Sequence, residues 1–293
     1  MAKGRELKGR IKSVENTRKI TRTMEMVATS KLKRAQDRVV AARPYAAALG
    51  EVMSNLYSPA LAERFPLLRQ PAEERRAAVI VLTSNRGLAG GFNANLLREA
   101  RTLLARLEKK GTQVDLHVVG RKGIGYFRYV NRAIAGQRTD VTDRPTADDA
   151  AALVDGLMDD FRAGALDAVY VVYAKFVSAV STPPTSDRIL PVAPPAKAAG
   201  AGGLGVQRDY LLYPSAEALL TELLPSYVRN AVYRALVETA AAEQGARRTA
   251  MKNATDNAGE ILNVLRRTYN RARQAQITQE IAEIVGGAAA LQG

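Results

Sequence analysis

LKRAQDRVVAARPYAAALGEVMSNLY, residues 32–57, sets apolar side chains at Leu32, Ala35, Val39, Ala42, Ala46, Leu49, Met53 and Leu56. The steps alternate between three and four residues, the heptad spacing of a helix that packs lengthwise against another helix. Towards the N-terminus, from Glu6 onward, the chain is rich in Leu, Ala, Lys, Arg and Met, which lose little on entering a helix, and Pro44 is the only proline before Tyr57. The spacing predicts one long N-terminal helix, and a seam of this length requires a partner helix.

The partner is at the other end of the chain. From about Ser215 to Val285 the sequence again reads helical, with Leu224, Val228, Ala231 and Ala235 on one stripe and Leu262, Leu265, Tyr269, Ala272 and Gln276 on another. Pro225 predicts a kink or the true start of this helix, because proline is tolerated in a first turn and costly further in. Roughly 60 helical residues rise about 90 Å, so one end must project beyond what the chain itself can cover.

Between the helices the rhythm changes. AAVIVL (77–82) is a short apolar run ending in TSNRGLAGG, followed by a helical stretch over 93–110 and a second strand, QVDLHVVG (113–120). A helix from about Ala147 to Arg162 precedes a third strand, DAVYVVYAKF (167–176). Strands alternating with helices predict a parallel α/β layer. The expected fold is therefore α/β with long helices: a coiled coil of N- and C-terminal helices plus an inserted Rossmann-like α/β domain. The expected division is 1–57 for the first helix, 58–214 for the inserted domain and 215–293 for the last helix, with PVAPPAKAAGAGGLG (191–205) a mobile loop by composition.

Composition narrows the chemistry. The chain has 293 residues, no cysteine and one histidine, His117, which removes disulfides and thiolate sites and leaves little for histidine catalysis. Its longest apolar runs fall far short of the roughly 20 residues of a membrane helix, so no direct membrane insertion is expected. The N-terminus carries Glu6 and Glu15 and lacks an apolar signal core, and reads as mature protein. Of the net charge of +14, residues 1–57 hold a surplus of eight, with 13 Lys and Arg against 5 Asp and Glu. A basic face of this kind suits a polyanion: nucleic acid, anionic lipid or an acidic protein surface.

No constellation of catalytic or ligand-binding residues emerges. The turn SNRGLAGGFN invites a phosphate-binding reading, but Gly87, Gly90 and Gly91 do not make the dinucleotide pattern and no Gly-Lys-Ser/Thr follows. Asp143, Asp148, Asp149, Asp155, Asp159 and Asp160 form an acidic cluster that helix capping at Asp148 and a solvated face account for. His117 alternates with Leu116 and Val118 as a structural strand residue. The expectation is no catalytic residue, no cofactor and no metal.

Three stretches carry a family resemblance: IKSVENTRKITRTMEMVATSKLKRA (11–35), TSNRGLAGGFN (83–93) and MKNATDNAGEILNVLRRTYNRARQAQITQEIAEIVGGAAAL (251–291). In order and spacing they resemble the signature stretches of the F-type ATP synthase gamma subunit, the central stalk rotor. The resemblance is weaker over 131–149 and close to absent over 191–205. It implies an antiparallel, left-handed coiled coil whose C-terminal tip enters a ring of alternating alpha and beta subunits, with the α/β domain at the membrane-side base near epsilon and the c-subunit ring.

The resemblance also implies a function and a set of contacts. The function is that of a shaft coupling proton-driven rotation of the membrane ring to the cycling of the beta-subunit catalytic sites, without catalysis of its own, peripheral to the cytoplasmic face of the bacterial inner membrane. Met24 matches a family position near the acidic lever of beta. Arg247, Arg273, Gln274 and Thr278 match positions that contact loops of the catalytic ring. The cysteine-containing regulatory insertion of plant chloroplast members is missing. The residues themselves leave two alternatives: a basic coiled-coil nucleic-acid-binding protein, although no recognition motif is visible, and an α/β enzyme with a helical arm, which needs a filled pocket beside Gly87.

Overall fold

The computed structural model describes residues 2–56, 64–192 and 215–292. The expected loop beyond Val192 and the expected domain boundaries at 57/58 and 214 lie outside the described residues. Helix α1 runs from Ala2 to Leu56, 55 residues with Pro44 inside it. After a 3₁₀ turn at Pro66–Leu68 come β1 (Arg76–Leu82), α2 (Phe92–Lys109), β2 (Gln113–Val119), α3 (Arg121–Tyr129), β3 (Gly136–Arg138), α4 (Ala147–Arg162), β4 (Ala168–Ala174), β5 (Pro184–Leu190) and α5 (Ala216–Gln292).

The five strands form one sheet in the order β3-β2-β1-β4-β5. Four are parallel, and β5 returns antiparallel to β4. β1 beyond the exposed Arg76, and all of β4, are buried because a central parallel strand is covered on both faces. Alternate residues then feed two cores. Ala78, Ile80, Leu82, Val169, Val171 and Tyr173 pack with Val154, Met158 and Phe161 of α4 and with Leu224, Val228 and Val232 of α5. On the other face Val79, Val81 and Val172 join Leu96, Leu103 and Leu107 of α2, Leu32, Ala35 and Val39 of α1, and Val237 and Ala241 of α5.

The chain divides into two compact units, residues 30–246 and residues 1–29 with 247–293. In the larger unit the predicted seam is covered: Leu32, Ala35, Val39, Leu49 and Met53 are buried, and Ala42 and Ala46 half-buried. Met53 shares one core with Leu220 and Leu224, whereas Leu32 and Val39 share the other with Val237 and Ala241, the order of an antiparallel pair. In the smaller unit α1 and α5 are also antiparallel. Thr21 bonds Thr255, Arg18 lies against Gly259, and Glu15 pairs with Arg266.

Of three local features, the first decides between two readings and the other two differ from the sequence reading. α5 starts at Ala216, close to the expected Ser215 and not at Pro225, with Ser215 Oγ accepting from Ala218 N at 3.1 Å, and continues through the proline. Leu224 and Val228, both buried beside it, supply the packing that offsets the lost hydrogen bond. The cap of α4 is Thr146 and not Asp148; Thr146 and Asp149 exchange side-chain and backbone bonds in a capping box. Helix α3 was hidden by Gly123 and Gly125, which weaken the helical signal.

Candidate partner-contact surface

The glycine-rich turn after β1 is filled by its own side chains. Asn93 Oδ1 accepts from Ser84 N at 3.1 Å, and Asn85 Nδ2 donates to Thr139 O and Val141 O at 3.0 and 2.9 Å. At the start of α2, which this turn feeds, Phe92 N donates to Ala89 O at 3.2 Å, and on the neighbouring turn before α3 Arg121 N donates to Asn85 Oδ1 and Gly123 N to Thr83 Oγ1. Gly120, at φ +99°, allows the approach: a Cβ there would lie 2.2 Å from Thr83 O. Gly120 and Gly123 thus serve close strand-to-helix packing, whereas a Cβ at Gly87 or Gly91 would meet only ordinary contacts, from 3.6 Å outward.

The carboxylates of the acidic cluster are spread among separate tasks. Asp143 bonds Lys31, Asp149 closes the α4 cap, Asp155 holds Arg229 with two bonds of 2.7 and 2.8 Å, and Asp159 pairs with Arg162. Among the described residues no group of His, Asp and Glu is arranged to hold a metal ion. His117 stands on β2 opposite Gly136, whose missing Cβ makes room for the imidazole. Burial holds its pKa below the ordinary value, against the pull of Asp115 and Asp160, so the ring is neutral near pH 7.

The five residues taken from the family resemblance all fall in the smaller unit. Met24 is half-buried on α1, one turn from the buried Thr21 and Ala28. Arg247 is buried, with 8% of its surface exposed. Arg273, Gln274 and Thr278 are exposed on α5, where Thr278 Oγ1 donates to Gln274 O at 3.0 Å. The structure thus joins Arg273, Gln274 and Thr278 on one stretch of helix and sets Met24 and Arg247 apart from them in burial.

A further feature of this unit escaped the sequence reading. Ile277, Ile281, Ile284 and Val285 recur at i, i+4, i+7 and i+8, one face of a helix, and all four are exposed, Ile284 to 71%. The periodicity was present in the sequence, but such a stripe normally signals a covered face. Ile20, Met26 and Val27 of α1 and Ile261 and Val264 of α5 are exposed as well. Clustered exposed apolar side chains mark surfaces that another molecule covers.

Comparison with known proteins agrees along the whole chain. The sequence model of the ATP synthase family matches residues 3–291. The ATP synthase gamma chain of Gemmatimonas aurantiaca is 72% identical over 294 residues, covering 100% of both chains. That of Frankia casuarinae is 44% identical over 291 residues, covering 98% of this chain and 97% of the relative. Among solved structures, the central stalk and c-ring structure of the Tetrahymena thermophila mitochondrial ATP synthase contains a chain that matches with TM-score 0.60 and 25% identity, over 80% of this chain and 99% of that one. A chain of the Euglena gracilis mitochondrial ATP synthase rotor shares the fold at TM-score 0.65 and 20% identity, over 94% of this chain and 99% of that one. With a covered seam, a turn packed on itself and relatives alike from end to end, this chain belongs to the family of F-type ATP synthase gamma subunits.

Proposed function

We infer that this chain is the central rotor shaft of an ATP synthase, and that it passes free energy on as torque with no covalent step of its own. The observation that carries this reading is the apolar stripe Ile277, Ile281, Ile284 and Val285, exposed on the last turns of a 77-residue helix. A row of exposed apolar side chains of this kind marks a surface that another molecule covers. A bearing formed by a ring of alpha and beta subunits supplies that cover. The affiliation with gamma chains and the stalk and c-ring assembly of the Tetrahymena relative support the same partners, together with epsilon and the c-subunit ring.

A single asymmetric shaft inside a pseudo-threefold ring presents a different face to each beta subunit. Each catalytic site is then held in a different conformation, and rotation exchanges their affinities for ADP, phosphate and ATP. In this scheme Met24 faces the acidic lever of beta, and Arg247, Arg273, Gln274 and Thr278 meet loops of the ring. Residues 1–57 and 215–293 act as the shaft and 58–214 as its base. No described helix is long and apolar enough to cross a membrane. The chain is attached peripherally, on the cytoplasmic face of the bacterial inner membrane, through the c-ring.

The test is affinity capture of the tagged chain from native membranes with identification of what accompanies it. Alpha, beta and epsilon subunits in fixed ratio with ATPase activity are expected. Capture of the chain without them, under conditions that keep the synthase intact, would overturn the reading.

A further inference from the structure

Helix α1 meets the sheet through Leu32, Ala35 and Val39, an apolar contact that resists separation but has no direction. Two long cations flank that stripe. Lys31 Nζ bonds Asp143 Oδ2 at 2.6 Å, and Arg38 Nη1 donates to the backbone O of the same Asp143 at 3.4 Å. Lys31 and Arg38 are seven residues apart, two turns on one face of the helix. They therefore close on Asp143 from two levels along the axis. The Lys31 ammonium holds the Asp143 carboxyl below the usual carboxylate range, so the carboxylate is ionised at neutral pH.

The loop that carries Asp143 is itself anchored to the sheet. Asn85, early in the turn that follows β1, donates to Thr139 O and Val141 O and accepts from Arg121 N. Val141 is buried in the core beneath, and Arg138 bonds Asp140 and lies near Asp149 of the α4 cap. A slide of α1 by one turn, or a roll about its axis, breaks both contacts to Asp143 at once.

We propose that Lys31, Arg38, Asp143 and Asn85 form a clasp that fixes the axial register of α1 against the α/β layer, and that Lys31 and Asp143 are thereby positioning residues for energy coupling. The second half of this rests on the rotor reading above. A shaft transmits torque without loss only if its base cannot slip on it. The apolar contact carries the load, and the directional bonds prevent slippage.

Two measurements separate the clasp from the rotor reading. In the full-length chain, amide exchange of residues 139–146 is expected to speed up about two- to five-fold in Lys31→Gln and Asp143→Asn, the range of a half-exposed ion pair. It should be restored in Lys31→Arg and in the exchanged pair Lys31→Asp/Asp143→Lys. In the complete synthase reconstituted in vesicles, the single variants should hydrolyse ATP as the parent does while pumping fewer protons per ATP, and the exchanged pair should recover the ratio. Unchanged exchange in both single variants overturns the clasp, whatever the enzyme does. A faster loop with an undiminished pumping ratio overturns its part in coupling. If the parent chain itself supports no synthesis, the rotor reading and the coupling role fall together, and amide exchange still decides the clasp.

Discussion

The hydroxyls of Thr21 and Thr255 lie 2.8 Å apart, buried between α1 and α5 with 9% and 7% of each residue exposed. Each also has a carbonyl on its own helix within reach, Arg18 O at 3.1 Å and Met251 O at 2.8 Å. A buried polar pair between two packed helices fixes which residues stand opposite, at some expense in stability.

Removing one hydroxyl leaves the other with its own-helix carbonyl, so nothing buried is orphaned. Thr21→Val and Thr255→Val should each lower stability by about 1 kcal/mol, and the double variant should be no less stable than either single one. Denaturant unfolding of the purified chain checks this. Fully additive losses would mean that the hydroxyls act independently.

Gly120 is fixed by geometry. Its φ of +99° is strained for any side chain, and a Cβ would lie 2.2 Å from Thr83 O and 2.7 Å from Thr83 Oγ1. Gly120→Ala is expected to destabilise the α/β unit by about 3 kcal/mol or more, whereas Gly125→Ala, with nothing within 4 Å, should be neutral or slightly stabilising within its helix. Thermal unfolding of the two variants side by side gives the contrast. Equal stability would mean that the turn relaxes freely.

The legible parts of the fold are those with a burial periodicity. AAVIVL and AVYVVYA stand out because central parallel strands are covered on both faces, and residues 32–53 because one helical face is covered. β5, PTSDRIL, is an edge strand whose first five residues are only partly covered or exposed, so polar residues suit it and no apolar pattern forms. β3 has three residues, too few for any period. Gly123 of α3 is required by Thr83 and Val118, which a Cβ would meet at 2.7 and 2.8 Å, a tertiary constraint that local propensity cannot convey. The contact residues are less legible still. Nothing in spacing or charge separates Arg273 from Arg271, both exposed on α5, and only the family resemblance chose between them.

Alkaline titration should single out Tyr170. Burial first, and then the hydrogen bonds and charge of Glu74, push its phenol up to about 12, while burial beside Asp187 raises Tyr173 as well. A phenol whose pKa is higher folded than unfolded contributes stability in full below its unfolded value, about 10, and that contribution is lost as pH rises through about 12. The ultraviolet tyrosinate signal should therefore include a component near 12 that Tyr170→Phe removes. Between pH about 10 and 12 the parent should lose stability more steeply than the variant. Parallel losses would place the Tyr170 phenol in an ordinary environment.

At the end of α5, Arg273 and Gln274 are exposed, and the bond from Thr278 Oγ1 ends on the Gln274 backbone, which substitution keeps. The seam residue Leu262 is buried and Leu265, Tyr269 and Ala272 are half-buried, all untouched by changes at 273 and 274. The double change Arg273→Ala/Gln274→Ala should thus leave the unfolding of the purified chain and the assembly of the synthase near normal. In the assembled enzyme the same side chains are expected to bond the surrounding ring. A hydrogen bond involving a charged group contributes about 1.5–3 kcal/mol, so losing one at a rotational barrier slows turnover about ten-fold or more. ATP hydrolysis and ATP synthesis should fall together, because both directions of rotation cross the same contact. Measuring both on the reconstituted enzyme decides the point: full activity would make these side chains solvent-facing in the complex, and failure to assemble would make their role structural.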